Sequence, residues 1–199
     1  MIVARSELEG AVRKAALGLK WSGGLADEAN AAVAWLGRQG LLNLAAMNNA
    51  LEASGDGALD ESDGGLKLNY QSIVRVGPSV FDLVKAGSAP VSVEVDTGLE
   101  LLAGYAAIAA NGDAFRLSWD GGEAVIAAHG AALDGPLPTE GAVTVSQADA
   151  DEVAESGVDQ IEVTTEDWAK LQKLASTYYV IATEENRLSG AGAGLNDND

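Results

Sequence analysis

Cysteine is absent from the 199-residue chain, histidine occurs once, and proline occurs four times. Without cysteine there are no disulfides, thiolate nucleophiles or Cys-based zinc centres. The single imidazole, His129, excludes any site that needs two. Basic residues are also scarce: 12 Lys and Arg stand against 30 Asp and Glu, a net charge of −18. Such a surface repels phosphate backbones and anionic membranes, which are held through Lys and Arg. No nucleic acid and no membrane is therefore expected as a partner. The deficit is uneven, because residues 1–50 carry five basic residues against four acidic ones. All the net acidity lies beyond them, and its simplest office is solubility. No uncharged run approaches the ~18 apolar residues of a membrane span. Arg5, Glu7 and Glu9 interrupt the start before an apolar signal core can form. The expectation is a cytoplasmic protein.

At 47% hydrophobic residues, the chain has enough apolar side chain for a sizeable core. Ser6 and Glu9 have the spacing of a capping box, and Leu8, Val12, Ala15, Ala16 and Leu19 follow at helical spacing. Gly23-Gly24 should break the chain before a second helix over 25–38, with Asp27 and Glu28 in its first turn and Gly40 as its stop. A third, alanine-rich helix is predicted over 42–53, interrupted at Asn48-Asn49. Residues 54–65 are rich in Gly, Asp, Glu and Ser and read as a surface loop. A calcium loop fails there, since Ala58 and Gly64 fall where oxygen ligands should repeat after Asp56 and Asp60.

From Leu66 the period becomes two, and a strand is expected to run through Val76 to Gly77-Pro78. Ser79 and Asp82 would then cap a short helix, and Val91, Val93 and Val95 mark another strand. Residues 99–110 are too apolar to face water and read as a strand, with a helix as the alternative. Phe115, Leu117 and Trp119 should pair with Ala128, Ile126 and Ala124 across a Gly121-Gly122 hairpin loop. Val143 and Val145 mark a strand, and 149–155 one or two acidic helical turns. Ile161 and Val163 mark a further strand. Thr164 with Asp167 caps a last helix with Trp168, Leu171, Leu174, Ala175 and Tyr178 on one face; a final strand covers 179–182.

Helices first and strands with short helices after predict an α+β fold with a mostly antiparallel sheet. The domain reading is a helical segment 1–53 packed on the sheet, an acidic loop 54–65, a sheet core 66–182 and a Gly-rich tail 183–199. Trp21 and Trp35 motivate that packing, since three short helices give them too little apolar cover.

The tail carries the least ordinary pattern: Arg187, then alternating Gly190, Gly192 and Gly194, then Asn196, Asp197, Asn198 and Asp199. A dinucleotide loop needs a following helix to hold the pyrophosphate, and only five residues follow Gly194. Two readings stay open. Glycine is costly to order, which suits a frayed end. Alternatively, glycine permits close backbone approach, so that Arg187, Gly190, Gly192, Gly194, Asp197 and Asn198 meet a ligand or partner, with carboxylates suited to a hard cation. His129 closes a strand before Gly130, without the Gly-x-Ser-x-Gly turn of a nucleophile elbow, and reads as a surface or hydrogen-bonded residue. No Gly-Lys pair occurs, so no Walker-type phosphate loop exists.

The opening, with Leu25-Ala26-Asp27-Glu28-Ala29 and Ala34-Trp35-Leu36, and the ending over 187–199 resemble an uncharacterised proteobacterial family of about this length, catalogued as a domain of unknown function. The resemblance covers most of the chain and implies that the tail belongs to the family pattern. It supplies no catalytic residues. The first forty residues also resemble the helical start of the malate/lactate dehydrogenase family that lacks a Rossmann domain. The chain is much too short for that enzyme, and its histidine-bearing motif is missing after Gly40.

Two functions follow. The first is a non-catalytic protein that binds a small molecule or another protein, itself included. The second is a small enzyme using carboxylates and Arg187, with or without a divalent cation. Buried carboxylates beside an apolar pocket would favour the enzyme, and a broad exposed apolar patch the interaction module. The sequence names no cofactor.

Overall fold

Alternating valines give the sheet its spine: Val91, Val93 and Val95 are buried, whereas Glu94 and Asp96 between them are exposed. The computed structural model describes residues 1–53, 58–62, 65–88, 90–155, 157–158 and 160–179. In chain order the elements are β1 (Ile2–Val3), α1 (Arg5–Gly18), α2 (Gly23–Gln39), α3 (Leu44–Glu52), β2 (Ala58–Ser62), β3 (Gly65–Ser72) and α4 (Ile73–Leu83). A π-helical turn over Val84–Ser88 leads to β4 (Val91–Thr97), α5 (Leu101–Ala109), β5 (Ala114–Trp119), β6 (Gly122–Ala127), β7 (Gly130–Asp134) and β8 (Gly141–Ala148). A 3₁₀ turn over Ala150–Glu152, β9 (Ile161–Glu162) and α6 (Thr165–Ser176) complete them.

Seven strands form one sheet in the order β2-β3-β4-β8-β5-β6-β7, and β1 pairs with β9 apart from it. Only β3 and β4 run parallel, joined by α4; the other pairs are antiparallel. The fold is α+β with a mostly antiparallel sheet. The helices α3, α4 and α5 pack on the sheet, and α1, α2 and α6 pack over them. One apolar cluster runs from Leu8 of α1 through Leu36, Phe81 and Leu102 to Phe115 and Val145. The indole of Trp21 donates to the Leu51 carbonyl and that of Trp35 to the Ala128 carbonyl, each at 3.0 Å. The opposite sheet face carries a small cluster of Ala114, Val125, Ala127 and Val153.

Several local expectations are corrected. Ala4 rather than Ser6 begins α1, and Glu7 accepts its N–H while Glu9 pairs with Arg5. Gly23 and Gly24 open α2 instead of breaking the chain, because Ser22 accepts the Leu25 N–H as its cap. Asn48 does not interrupt α3; it is buried and donates to the Asp167 carbonyl of α6. Residues 58–62, expected in a loop, form the edge strand β2, where backbone pairing with β3 needs no apolar alternation.

The strand expected through Val76 stops at Ser72. Its hydroxyl accepts the Val74 N–H and donates to the Ala50 carbonyl, which turns the chain into α4 at once. The helix continues past Pro78, so neither Gly77-Pro78 nor the Ser79–Asp82 cap ends or starts anything. Residues 99–110 take the helical alternative as α5, which lacks an alternating pattern because it is buried nearly all round. The hairpin register is also moved by two residues: Trp119 faces Gly122, Leu117 faces Ala124 and Phe115 faces Ile126. The turn is Asp120-Gly121, with Gly121 at φ 89°. A two-residue shift keeps every side chain on its expected face. The final strand over 179–182 lies outside the described residues beyond Tyr179.

Candidate functional site

Two glycines bring three helices together. A Cβ on Gly77 of α4 would lie 2.2 Å from the Tyr105 ring, and one on Gly104 of α5 would lie 2.6 Å from the Ala32 carbonyl oxygen of α2. These helices therefore approach where no larger side chain fits, and Tyr105 lies against the α4 backbone. The same convergence leaves a cleft of about 170 Å³ lined by Glu28, Pro78, Asp82, Tyr105, Ile108 and Ala109.

Tyr105 is the unusual member of that lining. It is 2% exposed, and its hydroxyl has no hydrogen-bond partner among the described residues. A buried hydroxyl without a partner costs about 1–3 kcal/mol, so native structures leave few of them. Burial first, and the Glu28 carboxylate second, raise its pKa far above the ordinary phenol value.

Glu28 and Asp82 stand on α2 and α4 at the rim, both exposed. Partial burial raises the Glu28 pKa, and the negative charge of Asp82 raises it further. Neither carboxylate has a hydrogen bond or ion pair among the described residues. The ammonium of Lys85, on the turn after α4, donates instead to the Ala109 carbonyl at the end of α5. Cleft chemistry is therefore anionic at the rim and apolar along Pro78, Ile108 and Ala109, with Tyr105 buried in its wall.

A third carboxylate sits at the start of the same helix. Glu100 is 2% exposed, neither of its oxygens meets a partner on another described residue, and burial, opposed weakly by its own backbone N–H, pushes its pKa to about 7. Larger depressions lie between α1 and α6, about 320 Å³, and beside Gly37, Gly40 and Ile161, about 310 Å³. Neither is lined by a buried polar atom lacking a partner among the described residues.

Arg187, Gly190, Gly192, Gly194, Asp197 and Asn198, the site residues expected from sequence, lie outside the described residues. His129 meets the Val153 carbonyl at 2.9 Å through Nε2, at a strand end. Among the described residues no three His, Asp or Glu side chains group to hold a metal, and no helix is long and apolar enough to cross a membrane. Sequence reading missed Glu28, Asp82 and Tyr105 as a group. Glu28 read as a helix-dipole residue, Asp82 as a capping partner and Tyr105 as part of a strand. Gly77 and Gly104, which mark close approach, were the available signal.

The molecule is thus an α+β protein whose helical layer holds a small acidic-rimmed cleft. Residues 3–93, a little under half of the chain, match the model of a family described as a protein of unknown function, DUF3726. The matched stretch runs from β1 into β4 and includes Glu28, Pro78 and Asp82, but stops before Tyr105. No curated protein matches the chain.

Proposed function

We propose that this chain is a non-catalytic binding protein that holds a small molecule in the cleft between α2, α4 and α5. One observation carries the reading: a concavity with both acidic and apolar walls is lined in part by Tyr105, whose buried hydroxyl has no partner among the described residues. Small-molecule sites have this composition, with apolar walls and a few polar groups that fix orientation. A ligand oxygen or nitrogen at Tyr105 would satisfy the orphaned hydroxyl on binding.

The enzyme reading rests on the raised pKa of Glu28 beside Asp82, since two carboxylates with separated pKa values suit acid–base work. It is weaker, because both carboxylates are exposed, and the buried carboxylate Glu100 does not line the cleft. A cytoplasmic location and association with itself or another protein belong to the same proposal. So does a contact role for Arg187, Gly190, Gly192, Gly194, Asp197 and Asn198, which brief carboxypeptidase digestion with intact-mass readout tests. Survival of the tail supports docking, and rapid loss under all conditions removes that role.

Ligand-observed NMR with a mixture of small polar metabolites tests the cleft itself. Ile108, 45% exposed at its lip, is replaced by Trp to obstruct entry. Transfer signals present with the wild type and lost with Ile108→Trp support the proposal. Equal signals from both proteins place binding elsewhere.

A further inference from the structure

We infer that the ligand of this cleft is a small primary ammonium with a short apolar chain; this rests on the cleft being a binding site at all. Two carboxylates border it, those of Glu28 and Asp82, and Tyr105 lines its wall with a buried hydroxyl that has no partner among the described residues. An ammonium carries three N–H donors and a full positive charge. It therefore matches the rim in sign, with an N–H for each carboxylate and one for the buried hydroxyl behind them.

Other ligand classes fit less well. An anion would be repelled by both carboxylates. A quaternary ammonium satisfies the charge but offers no N–H to the hydroxyl. A hard divalent cation wants six or more oxygens and retains water, whereas Pro78, Ile108 and Ala109 offer apolar surface. Among the described residues no cation pairs with Glu28 or Asp82: Lys85 donates to the Ala109 carbonyl, and Arg116 to Glu123 and Glu152.

Volume limits the chain length. On the liquid measure of ~30 Å³ per water, a cleft of about 170 Å³ holds about six heavy atoms. Butylammonium is of that size. A longer chain would leave its end over Ile108 in solvent. Because the bound cation favours the ionised carboxylates, affinity should rise with pH as Glu28 loses its proton and level off above its pKa.

The test is an amide NMR titration of the full chain with butylammonium chloride, tetramethylammonium chloride, magnesium chloride and 1-butanol at constant ionic strength. The expected result is saturable shifts around Glu28, Asp82 and Tyr105 with butylammonium, and shifts at least about tenfold weaker in affinity with the other three. Glu28→Gln with Asp82→Asn should weaken butylammonium at least about tenfold, since each loses a charge-assisted acceptor. Tyr105→Phe should weaken it less and leave 1-butanol unaffected. Equal binding of 1-butanol would overturn the ammonium assignment while leaving the cleft a binding site. Equal binding of tetramethylammonium or magnesium would overturn it in favour of charge alone. Shifts with none of the four probes would remove both the ligand class and the cleft. Unchanged amide spectra of the free variants establish that they fold.

Discussion

Two places in this molecule bring a pair of carboxylates together, and they are built in opposite ways. On the sheet, Arg116 of β5 reaches Glu123 of β6 at 2.6 Å and Glu152 of the following 3₁₀ turn at 2.7 Å. One guanidinium thus answers both charges and ties the hairpin to the turn. In the helical layer, Glu28 and Asp82 line one cleft with no ion pair to either among the described residues, and burial first, then the charge of Asp82, raises the Glu28 pKa. The contrast teaches that proximity of acids alone signals nothing. What distinguishes the cleft is the missing counter-charge together with an orphaned hydroxyl at Tyr105.

Glu100 extends the comparison to full burial, and gives the largest expected effect. Its folded pKa of about 7 lies above the ordinary 4.5. The folded state therefore holds the proton more tightly, and the contribution of Glu100 to stability is fully present below pH 4.5 and is lost as pH rises through about 7. The difference corresponds to about 3 kcal/mol at most. Denaturant unfolding from pH 4.5 to 8 should show that decline superimposed on the behaviour of the other acids. The decline should be markedly smaller in Glu100→Gln; the same slope in both proteins would show that Glu100 is not the source.

The helical packing that shapes the cleft comes next. Gly104→Ala forces a methyl onto the Ala32 backbone, which cannot move aside as a side chain could. It should cost about 1–3 kcal/mol, read as a lowered denaturation midpoint. A neutral result would mean that α2 and α5 are not held at this spacing. Tyr105→Phe should go the other way by up to about 1 kcal/mol, because it removes an unsatisfied buried hydroxyl. A substantial loss of stability would show that the hydroxyl has a partner in solution.

The smallest effect belongs to the sheet triad. Arg116→Ala should lower stability by about 0.5–1 kcal/mol, since its carboxylate partners are largely exposed and screened. That loss should shrink further in 0.5 M salt. The counterpart Glu28→Gln should leave stability unchanged or slightly raised, having no cation to lose. If both substitutions destabilise alike, the two carboxylate pairs do not differ as described.

Periodicity exposed the half-buried elements and failed on the fully buried ones. Val91, Val93 and Val95 alternate because β4 has one wet face, and the apolar stripe through Leu171 and Leu174 marks α6 for the same reason. Residues 101–107 are all buried, so nothing in Leu-Leu-Ala-Gly-Tyr-Ala-Ala separates helix from strand. At 72–78 a serine cap overrode a continuing two-residue pattern and a proline that usually ends helices. The cleft depended on both failures. Tyr105 lies in the ambiguous helix, and Asp82 in a helix whose start was placed seven residues late, so neither could be set beside Glu28. The unusual composition of the tail is a weaker guide to a site than a polar atom left without a partner.

The most direct measurement is the ¹³C NMR titration of the Glu28 side-chain carboxyl, in the free protein and with saturating butylammonium. A Glu28 pKa above the usual carboxylate range that falls when the cation is added is the predicted result, because the cation supplies the charge that Arg116 supplies on the sheet. An ordinary value that does not respond to the cation would contradict the cleft as a cation-binding site.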